Sequence, residues 1–311
     1  MAVQERSTAP ADVRALATAL TTITCRWEIT VVIVLQSLAL YVFGGRAGGG
    51  AMTAREAVGC GLFGLFAQGL CSVLNDITDV AADRVNHPER PFPSGRVPIR
   101  HGWYVVGGCL AGAVLCAALL ATTPFGLAAF AAHLALSVLY SAPGVRWGRH
   151  WLRGPLTLVA STVCGILAVL SCTALYAAPG AGREVVLLVG LVCFLHHLLV
   201  IPLKDLRDVS GDAADGGSSL AMRLPRSGII ALGVTGYLAP WAVLFAGARW
   251  IGGDLATPLS ALAALLGAGG AVMAWLVARR PALLEGQRFC WFAELGLLFL
   301  FQFSLPAAAL A

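Results

Sequence analysis

Hydrophobic positions in this chain come in long blocks, not in the alternation of a strand or the narrow stripe of a soluble helix. Apolar runs occupy the neighbourhoods of 29–43, 58–74, 103–122, 125–139, 156–176, 185–202, 229–247, 255–277 and 289–310. Each is close to the ~20 residues that cross ~30 Å of hydrocarbon, so the pattern predicts nine transmembrane helices and an all-α, polytopic fold. The breaks carry turn chemistry, among them Gly44-Gly45, Thr123-Pro124, Pro143-Gly144, Pro179-Gly180 and Gly252-Gly253.

Charge supports the same count. Only Arg46, Arg55, Arg183 and Arg249 fall on one side of the nine spans, and the remaining 17 of the 21 basic residues fall on the other. The positive-inside rule makes the crowded side cytoplasmic, which places the chain in a cell membrane with its N-terminus inside. Residues 1–27, where Glu5, Arg6, Asp12 and Arg14 interrupt any apolar stretch, are expected to remain as a cytoplasmic segment instead of a cleaved signal. Residues 28–311 are expected to form the membrane domain.

Composition then narrows the class. The chain is 58% hydrophobic and 12% charged, against roughly 25% charged in soluble domains. Its one lysine is Lys204. Such a surface must face lipid, and a net charge of +5 held in clusters leaves nucleic acid out as a partner. Nine cysteines show no C-x-x-C pairing and sit mostly in apolar runs, so they read as small buried hydrophobes and not as zinc ligands or disulfides. Small residues such as Gly107-Gly108 permit close helix packing within or between chains, which leaves the oligomeric state open.

Seven of the nine aspartates lie in two stretches: Asp76, Asp79 and Asp83, then Asp205, Asp208, Asp212 and Asp215. Both read D-x-x-D-V-x-x-D, and their separation by four spans suggests a duplicated helical unit. At about 100° per residue, positions 0, 3 and 7 fall within roughly 60° of arc, so each triplet is expected to form one carboxylate stripe at a helix end. Three like charges repel there, and a helix C-terminus adds partial negative charge, so each stripe calls for cations. Hard oxygen donors in this number suit Mg²⁺, which completes its shell with waters and phosphates. Asp76, Asp79, Asp83, Asp205, Asp208 and Asp212 are therefore candidate metal ligands. A merely solvated loop face has no need of such a concentration. Asn75 adds an uncharged oxygen or a donor to phosphate, and Gln68, seven residues earlier, shares its face. An interhelical hydrogen bond and a substrate contact explain Gln68 equally well.

These residues resemble the UbiA superfamily of intramembrane prenyltransferases. Asn75-Asp76-Ile77-Thr78-Asp79-Val80-Ala81-Ala82-Asp83 is similar to its N-D-x-x-D-x-x-x-D motif, and Arg90-Pro91-Phe92-Pro93-Ser94-Gly95 is similar to its R-P-x-P-S-G segment. Asp208-Val209-Ser210-Gly211-Asp212 resembles the second motif, D-x-x-x-D. The resemblance implies a single helical bundle around a central apolar cavity. It also implies a Mg²⁺ site where both motifs hold a prenyl diphosphate, and a small aromatic or lipid acceptor. In that reading Asp76, Asp79, Asp83, Asp208 and Asp212 are catalytic by holding metal that neutralises the leaving diphosphate, and not by acid–base work. An apolar chamber would shield the allylic cation from water.

Basic residues are expected to complete the diphosphate clamp: Arg90 and Lys204 first, then Arg84, Arg207 and Arg96. Tyr140-Ser141-Ala142-Pro143 is similar to the family's Y-S-x-P segment, whose downstream basic residue contacts diphosphate. Gly144 stands where some members have lysine, so Arg146 or Arg149 takes that role. His196-His197 reads as a core or cavity-lining pair, and Glu294 as an intramembrane acid, a functional candidate by default that a plain pairing with Arg288 would also explain. Trp27, Trp103, Trp151, Trp250 and Trp291 read as interfacial anchors. Two rivals to prenyl transfer remain: a terpene cyclase, in which the same cation is captured by its own double bond, and a divalent-cation transporter. Against the transporter, both stripes lie at one membrane face, whereas transport sites lie near the midplane.

Overall fold

Backbone polar groups in lipid have no water to bond, so each apolar block closes its hydrogen bonds within itself as a helix. The structure, a computed structural model, describes residues 26–178, 180–214 and 216–310. Residues 1–25 of the expected N-terminal segment, Pro179, and Asp215 lie outside the described residues, and of Asp212 only the backbone is described. The helices are α1 (Trp27–Ala47), α2 (Ala54–Thr78), α3 (Val80–Asn86), α4 (Ile99–Leu120), α5 (Pro124–Ser141), α6 (Arg153–Ser171), α7 (Ala174–Ala177), α8 (Gly182–Val200), α9 (Pro202–Ala214), α10 (Leu220–Arg223), α11 (Arg226–Ile251), α12 (Ala256–Arg279) and α13 (Gln287–Ala308). No strand occurs among the described residues. Nine helices within them, namely α1, α2, α4, α5, α6, α8, α11, α12 and α13, are long and apolar enough to cross a bilayer, and each coincides with one expected run.

Local sequence explains where the helices begin. The Thr53 hydroxyl accepts from the Glu56 amide at 3.2 Å, while Glu56 accepts from the Thr53 hydroxyl at 2.9 Å and from Tyr41 at 2.7 Å. Thr123 caps α5 in the same way, with Pro124 following it in the first helical turn. Two interruptions matter more for function. The α2 helix stops at Thr78, Asp79 takes a non-helical backbone, and α3 restarts at Val80. Likewise α8 ends at Val200 and Pro202 opens the amphipathic α9.

The helices α1, α2, α5, α6, α8 and α13 contact one another in a closed ring, with α4 packed outside α2, and α11 and α12 outside α8 and α13. A cavity of about 400 Å³ lies against α1, α2, α5 and α6, and α3, α9 and the Trp147–Arg149 turn frame its rim. Its deep end is apolar, with Leu40, Phe63, Ile166 and Val169. Midway the wall is mixed and not uniformly apolar, carrying Gln36, Gln68, Ser137, Ser161 and Thr162. The eight cysteines among the described residues are free, and most are buried.

Candidate active site

The rim gathers both acidic segments. Asn86 of α3 donates to the Asp208 backbone carbonyl of α9 at 3.4 Å. The Asn86 side chain holds this position only beside glycine: a Cβ on Gly211 would stand 2.1 Å from the Asn86 amide nitrogen. The Ser218 amide, bonded to the Arg149 carbonyl at 2.8 Å, ties the loop after α9 to the turn after α5. Four separate chain segments are thereby fixed around one opening.

Asp79, Asp83, Asp205 and Asp208 line that opening, as do Asn75, Arg90, Arg146, Arg149, Lys204 and Arg207. The first motif does not form the single stripe expected of it. Because α2 breaks at Asp79, Asp76 stays on the last turn of α2, 3% exposed and off the cavity wall, and is hydrogen-bonded by Arg26. Asp79 and Asp83, at and beyond the break, face the rim. Arg90 reaches both oxygens of Asp83 at 2.7 and 2.8 Å and lies 3.6 Å from Asp76. Arg146 bonds Asp79, and Arg207 donates to its neighbour Asp208 at 3.0 Å. Arg84 is exposed and lies outside the lining. Arg96 donates to the Ser94 hydroxyl at 3.0 Å and to the Glu89 carbonyl, bracing the loop that presents Arg90.

Arg146 holds its carboxylate from a left-handed backbone, φ 41°, a conformation that costs a β-carbon-bearing residue about 1 kcal/mol or more. The guanidinium is thus aimed by the turn itself. Burial pushes the Asp79 and Asp83 carboxyls above the ordinary aspartate range despite Arg146 and Arg90. For Lys204, burial opposes the charge, yet Glu294, Tyr140, Asp205 and Asp208 together raise it above the ordinary lysine range.

Among the described residues, no three carboxylate, imidazole or thiol groups converge as a ready-made cation site. The donor set nevertheless fits a hard divalent ion. Carboxylates from two facing elements share one rim, and burial holds two of them above the ordinary aspartate range even with arginines attached, so a divalent ion would stabilise their charged forms. Across the lining, six Arg and Lys side chains meet four described aspartates, a surplus suited to an anion.

Sequence reasoning missed Arg26 as a rim residue, although it is the last cation before the first span on the motif side. It also missed His133 and Gln36, polar residues inside apolar runs. Glu294 departs from the expectation: His197 lies 3.8 Å from it, and Arg288 is exposed. Both members of the His196-His197 pair are buried away from the cavity lining, with His196 5.5 Å from the Trp241 ring. Gln68 donates to Ser72 at 2.6 Å within its own helix, not to a neighbouring helix as one reading expected, and it lines the cavity, where a substrate contact would lie.

A ring of membrane helices hollowed beneath two acidic segments, with surplus arginine at its rim, defines an intramembrane enzyme for an anionic substrate with an apolar tail. The chain belongs to the UbiA prenyltransferase family, which it matches over residues 37–303. It is 33% identical over 220 residues to the digeranylgeranylglyceryl phosphate synthase of Methanopyrus kandleri, covering 67% of this chain and 76% of that protein. The enzyme of the same name from Pyrococcus abyssi is 30% identical over 158 residues, 48% of this chain and 50% of that one. The chain thus spans about three quarters of one such relative and half of the other. In fold it is similar to a UbiA homologue from Archaeoglobus fulgidus solved with GPP and Mg²⁺, with a TM-score of 0.66 at 16% identity over 93% of this chain and 99% of that one.

Proposed function

We propose that the protein binds a prenyl diphosphate at the rim with divalent cations, lays the isoprenoid tail in the cavity and transfers it to an aromatic or lipid acceptor. One observation carries this reading: both acidic segments, bridged by Asn86, face a surplus of arginine and lysine directly above a tail-sized apolar end. Asp79, Asp83, Asp205 and Asp208 are the residues that would hold Mg²⁺, with Asp212 assigned by its motif. Bound there, Mg²⁺ supplies Lewis-acid neutralisation of the diphosphate's charge.

The chain's own groups do the rest. Arg90, Arg146 and Lys204 offer charge-assisted hydrogen bonds to phosphate oxygens. When an arginine turns from its aspartate to phosphate, it frees that carboxylate for metal, so each Arg–Asp pair acts as a placeholder. The C1–O electron pair leaves with the diphosphate, and Leu40, Phe63, Ile166 and Val169 keep water from the allylic cation until the acceptor attacks. The 17-to-4 division of basic residues supports a cytoplasmic rim.

Purified protein in nanodiscs with Mg²⁺ and geranyl, farnesyl or geranylgeranyl diphosphate tests this reading. Addition of a prenylated glyceryl phosphate or a phenol should yield a prenylated product and free diphosphate. An acceptor-independent terpene would assign cyclisation instead, and no diphosphate release with any chain length would overturn the proposal.

A further inference from the structure

Glu294 lies on α13, 7% exposed and absent from the cavity lining, whereas Lys204 lines the cavity at the rim. A carboxylate taken this far from water is costly unless a cation answers it. Arg288 is exposed, and His197 Nε2 lies 3.8 Å from the carboxylate, outside hydrogen-bond reach. The next cation along the His197 face is Lys204.

The chain between those two residues keeps its helical sense. Ile201 has φ −53° and ψ −34°, its amide bonds the His197 carbonyl at 2.9 Å, and the Lys204 amide bonds the Ile201 carbonyl at 3.1 Å. Seven residues therefore return Lys204 to the face of His197, roughly 10 Å nearer the rim. The helix α13 packs against both α8 and α9 and, entering from the Pro281–Glu285 turn beside α9, runs the opposite way. Helical side chains lean toward the N-terminus of their own helix, so Lys204 leans inward and Glu294 leans toward the rim, each into the gap between them. Electrostatics agree. Among the charges that hold Lys204 above the ordinary lysine range, Glu294 stands first, ahead of Tyr140, Asp205 and Asp208. For Arg207 the order is reversed, with Asp208 foremost and Glu294 behind it.

Lys204 differs from its neighbours on the rim in what it holds. Arg26, Arg90, Arg146 and Arg207 each bond a carboxylate of the two acidic segments. Lys204 adjoins Asp205 and stands one turn before Asp208, spacings at which a flexible ammonium ordinarily pairs. Yet it makes no hydrogen bond or ion pair among the described residues. We propose that Glu294 is a positioning residue, which draws the Lys204 ammonium off Asp205 and Asp208 from behind and so presents it uncommitted to the diphosphate. This rests on the reading that the rim binds a prenyl diphosphate. Its consequence is twofold: two carboxylates stay open to metal, and one cation meets phosphate without first leaving a partner.

The test is a double-variant cycle on full-length protein in nanodiscs. The probe is farnesyl thiodiphosphate with Mg²⁺, whose bridging sulfur slows ionisation, and the readouts are its Kd and the Tm. Glu294→Gln should weaken binding about 10-fold, because Lys204 then turns to its own helix's carboxylates, while Glu294→Asp keeps most of the affinity. In a Lys204→Met background, Glu294→Gln should cost no further affinity, and the double variant should melt above Glu294→Gln because no buried charge is left alone. Equal weakening by Glu294→Gln in both backgrounds means a merely structural role and overturns the proposal. Unchanged or tighter binding in Glu294→Gln overturns it as well, since a carboxylate that only added negative field would repel the diphosphate. If Glu294→Gln does not fold, recovery of folding in the double variant supports the pair, and failure of both overturns it. If the unmodified protein does not bind the probe, the prenyl-diphosphate reading fails, and the Tm values of the cycle still decide whether Glu294 answers Lys204.

Discussion

The two D-x-x-D-V-x-x-D segments carry the same spacing and are built differently. The first straddles a helix break: Asp76 belongs to α2, Asp79 is the break, and Asp83 belongs to α3. The second lies wholly within α9, which Pro202 starts afresh after α8. Asp76 consequently turns into a buried cluster with Arg26 and Arg90, whereas Asp205 and Asp208 both reach the rim. Equal spacing gives equal geometry only while helical phase is unbroken, and a single non-helical residue is enough to divide three carboxylates between a buried ion cluster and an open rim.

Substitutions separate those tasks. The largest effect is expected at the rim: Asp79→Ala and Asp208→Ala should each lower diphosphate release by about 100-fold or more while the protein stays helical and monodisperse. Full rate in either would end the equivalence of the two segments. Arg90→Ala leaves Asp83 and Asp76 buried beside one guanidinium fewer, a change of about 3 kcal/mol for a broken buried pair, seen as a lowered Tm together with weakened diphosphate binding. Gly211→Ala turns the Asn86 amide away from the Asp208 carbonyl and should reduce kcat/KM by about 10-fold, as should Asn86→Ala alone, with Gly211→Ala/Asn86→Ala no worse than either. Full kcat/KM in Asn86→Ala would show that the Asn86 bridge does not join the segments. Asp76→Asn is expected to change kcat by no more than about 3-fold, its cost appearing in thermal stability. A loss as deep as that of Asp79→Ala would show that the break separates nothing. Arg84→Ala, on an exposed side chain outside the lining, should leave both rate and Tm unchanged.

The rim also makes a statement about pH. Since burial raises Asp79 and Asp83, protons compete with metal at a higher pH than for ordinary carboxylates. As pH falls, the Mg²⁺ concentration for half-maximal rate should rise earlier than a normal aspartate would dictate. Titrating activity against Mg²⁺ at several pH values checks this.

Some of this was legible in the chain because it is local. Nine apolar runs became nine long helices within a few residues at each end, since lipid allows only internally bonded segments. Asp79, Asp83, Asp205 and Asp208 announced themselves by density, and Arg90 by its place in the R-P-x-P-S-G loop. Arg26 did not, because its partner Asp76 lies fifty residues away and nothing in the intervening sequence encodes the approach. Glu294 was assigned to the nearest cation in sequence, whereas a histidine from another helix is what reaches it.

Sequence alone therefore determined the solvent, the number of spans, the end of the bundle that carries charge and the family, all of which follow from residue type and spacing along one helix or loop. Only the tertiary structure decided that Asp76 joins a buried ion cluster, that Asn86 beside Gly211 bridges the two acidic segments, and that a histidine from another helix reaches Glu294. Each of those depends on helical phase after a break, or on an atom of a different helix, and neither is written in the spacing of side chains.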